Sequence, residues 1–188
     1  MKPFGQDEGV KIDHAHAELL RGLIMSNKPS TVLEIGLGGG ASADAMLEGL
    51  AYNQLIYDYT IVDNWMDWGG VCPDGVEEKY SDRCRIITMG EREFVFGTDK
   101  KWDFIMSDGD HHNTDQWFEY VYHNLLNPGG ILVYHDVHLR DVADGFPNLR
   151  QIYFRCREFG IPHHLFNADS RPDERCWRGL LVIFKPKE

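Results

Sequence analysis

Cysteine is scarce and scattered. The 188 residues contain four, Cys72, Cys84, Cys156 and Cys176, and no Cys-x-x-Cys pair. This excludes a zinc knuckle and a dense disulfide framework, and free thiols are the expectation. Positive charge is also in deficit, 19 Lys plus Arg against 30 Asp plus Glu for a net charge of -11. Such a balance repels a polyphosphate, so no nucleic-acid partner is expected. Arg150, Arg155 and Arg157 lie near one predicted helix and read as a solvated face. Long apolar runs are missing as well. None approaches the ~20 residues of a membrane span, and Met1 to Glu8 contains no apolar run of the kind a signal sequence needs. The expectation is a cytoplasmic chain with no membrane partner.

What is present is ordinary for a globular protein: 43% hydrophobic, 12% aromatic and 26% charged residues. A chain of this length forms one domain, here expected over 1–188, that buries roughly 70% of its unfolded surface. From residue 30 onward β-type runs alternate with helix-type segments, the pattern of an α/β fold whose mostly parallel sheet carries helices on both faces. Ahead of it, Ala15, Leu19, Leu20, Leu23 and Ile24 recur at helical spacing and predict a helix over 13–26 packed on a core of 30–185. Strands are expected at Thr31 to Ile35, Leu55 to Val62, Arg85 to Met89, Trp102 to Ser107 and Gly130 to Tyr134. Helices are expected from Ala41 to Leu50 and from Thr114 to Leu126, the second stopped by Asn127-Pro128-Gly129-Gly130. After Pro162, His163 to Phe166 and Gly179 to Phe184 flank polar residues around Ser170 to Asp173, which predicts a C-terminal antiparallel hairpin.

Between the first strand and its helix stands Glu34-Ile35-Gly36-Leu37-Gly38-Gly39-Gly40. Gly36, Gly38 and Gly40 permit backbone conformations closed to other residues, so a nucleotide-like cofactor can lie against the main chain at the helix start. The turn alone does not select the cofactor, because Gly36, Gly38 and Ala41 also satisfy the dinucleotide form Gly-x-Gly-x-x-Ala. Glu34 can steady the turn and face a cationic cofactor tail, which NAD lacks. Asp63 ends the second strand, where a carboxylate accepts the hydroxyls of a ribose.

These residues resemble the class I S-adenosylmethionine-dependent methyltransferases, whose first motif, Glu/Asp-x-Gly-x-Gly-x-Gly, is matched from Glu34 to Gly40. The resemblance extends over roughly residues 30 to 185. It implies a Rossmann-like, seven-stranded sheet, S-adenosylmethionine as cofactor, and cofactor contacts from Glu34, Gly36, Gly38, Gly40, Asp63 and Asp108. More narrowly, Asp108-Gly109-Asp110-His111, then a helix, Pro-Gly-Gly, a strand and His135-Asp136, looks like the metal-dependent O-methyltransferase branch that includes sugar and cephalosporin-pathway enzymes. Carried over by position, the metal ligands fall on Asp108, His135 and Asp136. Relatives have Asp-Asp or Asp-Asn where this chain has His135-Asp136. Carboxylates suit Mg²⁺, whereas an imidazole shifts preference toward Mn²⁺, Fe²⁺ or Zn²⁺. Read without a ligand, Asp108 and Asp136 cap the segments that follow and His135 packs at a strand end.

Methyl transfer needs alignment above all, because the sulfonium is already activated. A phenol with a pKa of about 10 lies roughly 4 kcal/mol from its anion at neutral pH, and a divalent metal supplies much of that difference. His111 stands three residues after Asp108, where metal-dependent relatives with a catechol-type site place their base, and the resemblance makes it the candidate catalytic base, with His112 as the neighbouring alternative. Trp65 and Trp68 could floor the adenine, form a substrate wall or simply pack under a loop. His14, His16, His163 and His164 receive no role. The expected partner is a small-molecule substrate, selected by the N-terminal helix, the Trp65 to Tyr80 loop, the Asp136 to Pro147 loop or a second subunit of a homodimer. A NAD-dependent oxidoreductase and a non-catalytic cofactor-binding module are the competing readings.

Overall fold

The computed structural model describes residues 12, 14–66, 69–139, 146–167 and 179–187. Seven strands form one sheet: β1 (Thr31–Ile35), β2 (Asp58–Asp63), β3 (Arg85–Thr88), β4 (Trp102–Ser107), β5 (Leu126–Tyr134), β6 (His163–Asn167) and β7 (Gly179–Phe184). Their order is β3-β2-β1-β4-β5-β7-β6, with β7 antiparallel to both β5 and β6 and the other pairs parallel. The expected α/β architecture and terminal hairpin are therefore present. The polar residues 170–173 between the hairpin strands lie outside the described residues, as do Met1 to Glu8, Trp68 and Cys176. Cys72, Cys84 and Cys156 are free thiols.

Strand periodicity divides the core in two. Val32, Phe104, Met106, Ile131, Val133, Leu180 and Val182 face one side, where helices α1 (His14–Asn27) and α2 (Ala41–Asn53) and the short α3 (Val76–Tyr80) pack. Their neighbours Leu33, Ile105, Leu132, Tyr134, Leu181 and Ile183 face the other, covered by α4 (Glu91–Gly97), by α5 (Phe118–Tyr120) with its flanking turns, and by α6 (Pro147–Glu158). A residue every second position serves each face, as a doubly covered sheet requires.

Several boundaries differ from the sequence reading. Helix α2 runs to Asn53, and Gln54, in a left-handed conformation with φ 53°, turns the chain before β2. Leu55 and Ile56 therefore lie in an exposed loop, Ile56 at 97% exposure, and β2 begins only at Asp58. The helix expected over 114–126 is broken into a 3₁₀ turn (Thr114–Gln116), α5 and a π turn (Val121–Leu125). Leu126 already pairs with Trp102, and a bulge then carries the pairing to Phe104 and Ile131. In α1 the fully buried positions are His16, Leu20 and Ile24, one stripe at i, i+4 and i+8 with a histidine at its head.

Candidate active site

The parallel strands end at one level. Gly36 N donates to Val62 O at 2.9 Å, Asp108 N to Ile35 O at 2.8 Å, and His135 N to Ser107 O at 3.2 Å, so ladder pairing continues into the residues just past β1, β4 and β5. Ligands of open α/β sheets bind at this edge. Here it borders a cleft of about 1110 Å³ lined by Gly36, Gly38, Asp63, Asp108, His111 and Asp136 among others.

The glycine turn has mixed causes. Gly36, Gly38 and Gly40 all have positive φ, at 83°, 52° and 80°. At Gly36 a Cβ would also meet Asp108 O at 2.4 Å. That glycine is required because the turn rests on the end of β4, before any ligand is considered. Asp63 reaches across from β2: one carboxylate oxygen accepts from Leu37 N at 2.8 Å and the other from Trp65 N at 2.7 Å. It fixes the turn while remaining on the cleft wall.

Glu34 is placed differently from the expectation. It is fully buried, facing α2 beneath the turn, where Ser42 Oγ and Tyr59 Oη (2.6 Å) donate to its two oxygens. Burial pushes its pKa up to about 8, against the two hydroxyl donors that favour the anion. The carboxyl therefore secures the turn from behind and does not face a cofactor tail. So placed, Glu34 does not discriminate against NAD. The topology does, because the dinucleotide fold has order 3-2-1-4-5-6 with parallel strands, and here antiparallel β7 stands between β5 and β6. Trp65 does not floor the adenine: it is buried in the core, and its indole N–H donates to Thr88 Oγ1 at 2.9 Å.

Asp108, His135 and Asp136 converge as expected, with one candidate ligand atom from each lying within 4.8 Å of the others. His135 Nδ1 is 3.2 Å from Asp108 Oδ1 and 3.3 Å from Asp136 Oδ1. Adjacent strand residues point to opposite faces, so consecutive ligands require the chain to leave β geometry. It does so here: β5 ends at Tyr134, and Asp136 has φ 58°, a left-handed conformation that Asp tolerates better than most residues. Ligands bonded at about 2.1 Å in an octahedral shell stand roughly 3 Å apart. The donor set and its spacing therefore fit a divalent ion.

His111 completes the cluster. Its Nε2 lies 3.1 Å from Asp108 Oδ1 and 3.4 Å from Asp136 Oδ2. Burial alone would lower its pKa, but hydrogen bonds and charge from the two carboxylates push it up to about 10. The same histidines hold Asp108 well below the ordinary carboxylate range despite its burial. The His111 ring stacks on Phe146 at 4.4 Å, while His112 meets Phe146 edge-on and has its backbone N–H on Asp110. Of the two candidate bases, His111 is the one that touches the cluster.

One site residue escaped the sequence reading. Glu91, nearly buried at the start of α4, accepts from Asp110 N and Trp117 Nε1, both at 2.8 Å, and from Thr114 Oγ1. A Cβ on Gly109 would meet Glu91 Oε2 at 2.7 Å, so the two are matched. Glu91 thus ties the loop carrying Asp108 and His111 to the helical segment behind it. The local signal was faint: an acid one residue into a helix normally reads as a favourable first-turn charge.

The family pattern of a methyltransferase domain matches residues 33–137, more than half of the chain. The protein belongs to this methyltransferase family. Three solved structures share its fold. Cofactor-bound Rv0187 from MTB has a TM-score of 0.76 and 15% identity over 98% of this chain and 85% of its own. The O-methyltransferase from Bacillus cereus, solved with SAH, gives 0.73 and 16% over 93% and 83%. The O-methyltransferase TomG from Streptomyces achromogenes, involved in tomaymycin synthesis and solved with SAM, gives 0.73 and 13% over 95% and 83%. No curated protein matches the chain. Among the described residues, no helix is long and apolar enough to cross a membrane.

Proposed function

We propose that this methyltransferase transfers the methyl group of S-adenosylmethionine to a hydroxyl of a small molecule, at a site that holds a divalent metal between Asp108, His135 and Asp136. The observation that carries the reading is the convergence of those three ligand atoms on the wall of the cleft that also contains the glycine turn. The cofactor assignment is supported by the family match and by relatives of the same fold solved with SAM or SAH.

In this reading Gly36 to Gly40 offer backbone to the cofactor, and Asp63, on the wall of the same cleft, accepts from the ribose. A divalent ion held by the three ligands supplies positive charge that makes an acceptor hydroxyl more acidic. The two carboxylates by themselves keep His111 protonated; a cation bound between them would offset that charge and leave Nε2, 3.1 Å from Asp108 Oδ1, able to take the hydroxyl proton. Phe146 covers one face of its ring and limits water there. The displacement at the methyl carbon then needs only alignment of oxygen, carbon and sulfur.

The test is twofold. Calorimetry should detect binding of S-adenosylhomocysteine and none of NAD, and binding of NAD alone would refute the cofactor assignment. Methylation of a panel of catechols and sugars should stop in chelator and return with Mn²⁺ or Mg²⁺, whereas full turnover in chelator would refute the metal.

A further inference from the structure

The cluster has a second layer that comes from the far end of the chain. His16, at the head of the buried stripe of α1, places Nδ1 at 3.2 Å from His135 Nε2, with the two rings edge to face at 5.2 Å between centroids. Both side chains are almost wholly buried. The stripe continues through Leu20 and Ile24, which pack against the sheet, so an imidazole occupies a position that helical periodicity assigns to an apolar side chain. A buried polar side chain is retained at a cost unless it is paired, and here its ring faces the one candidate ligand that departs from an all-oxygen set.

We infer that His16 is a positioning residue for the metal ligand His135. The inference rests on the proposed metal site and adds a residue to it. His135 directs Nδ1 at Asp108 and Asp136, so Nδ1 is the ligating atom and must offer its lone pair. A neutral ring then carries its single proton on Nε2, which faces His16 Nδ1. His16 Nδ1 accepts that hydrogen, and His16 in turn holds its own proton on Nε2. This choice of tautomers satisfies both nitrogens of His135 and Nδ1 of His16. Ligating histidines regularly donate their second N–H to such a partner, which fixes ring orientation and raises ligand basicity. In this chain the partner is an imidazole on α1 in place of a carboxylate or carbonyl, so docking of the first helix and loading of the ion become linked. The linkage also favours ions that prefer nitrogen, Mn²⁺ over Mg²⁺.

The experiment compares His16→Phe, which keeps a ring of similar size but no acceptor, with His16→Asn, whose amide oxygen takes the place of Nδ1. Mn²⁺ affinity is read by calorimetry on the whole chain without substrate. The phenylalanine variant is expected to bind Mn²⁺ 10- to 100-fold more weakly, the typical range for loss of such a partner, and the asparagine variant to stay within about 3-fold of wild type. Leu20→Ala, which loosens the same helix without touching the pair, should lower the affinity through docking alone and by far less than His16→Phe. Wild-type affinity in His16→Phe, equal losses in the two His16 variants, or an equal loss in Leu20→Ala would overturn the inference. Should His16→Phe fail to fold, ¹⁵N imidazole spectra of the Zn²⁺-loaded wild type decide the matter: a His16 proton on Nε2 supports the inference, and one on Nδ1 overturns it. Failure of the underlying metal site would look different, because wild-type protein would then bind no Mn²⁺ at all.

Discussion

Replacing Glu34 by Gln should change how stability depends on pH, in a direction and amount that follow from its burial. The carboxyl lies in the core with Ser42 and Tyr59 donating to it, and burial pushes its pKa from 4.5 to about 8. Between those values the folded chain keeps a proton that the unfolded chain releases. Its contribution is therefore fully present below pH 4.5 and is lost as pH rises toward about 8. At about 1.36 kcal/mol per pH unit, one proton over that window amounts to something on the order of 5 kcal/mol. A glutamine has nearly the same shape, can meet both hydroxyls, and titrates nowhere in the range. Urea unfolding of both proteins at intervals from pH 5 to 9 measures the effect, and the difference between them cancels every other titrating group. The variant should gain on wild type by roughly 1 kcal/mol per pH unit up to about pH 8 and then level off. A pH-independent difference, or a wild type that gains on the variant, would show that Glu34 is ionised in the folded state and faces charge that the structure does not place beside it.

Asp63→Ala should weaken S-adenosylhomocysteine binding about 100-fold or more in calorimetry, since two charge-assisted hydrogen bonds of about 1.5 to 3 kcal/mol each are removed. Unchanged affinity would place the ribose elsewhere. Gly36→Ala, whose Cβ would sit 2.4 Å from Asp108 O, should abolish binding of both S-adenosylhomocysteine and Mn²⁺. Gly75→Ala, with φ 92° but no atom within 4 Å of the new Cβ, should cost only the backbone strain of roughly 1 to 2 kcal/mol in unfolding and leave both ligands bound. Glu91→Ala leaves the buried Trp117 and Asp110 N–H groups without their acceptor, and denaturation should show a loss of roughly 2 to 6 kcal/mol.

Short-range spacing made much of the site legible. The glycine turn, Asp63 at the end of β2 and the two acid-histidine segments after β4 and β5 are each contiguous in sequence, and strand ends in this architecture fall along one edge. What spacing could not reveal was direction. Glu34 alternates with Leu33 and Ile35 and so shares the α2 face with Val32, a period-two signal that runs against its place in the motif. Leu55 and Ile56 read as strand because they are apolar, yet the left-handed Gln54 leaves them exposed in the loop. The segment from Thr114 to Leu125 has helical composition, but the Glu91 bonds to Thr114 and Trp117 hold its start in a 3₁₀ turn and early pairing of Leu126 ends it in a π turn. His16 was out of reach, since its partner lies 119 positions away.

The strand order also determines what the sheet offers to other chains. With β7 inserted between β5 and β6, the two edges are β3 and β6. An edge strand exposes unpaired backbone groups and invites further strands to add. Here β3 has only four residues and opens with an exposed arginine. The other edge, β6, has five residues. Among the described residues both edges are short, which limits the lateral pairing that leads to aggregation.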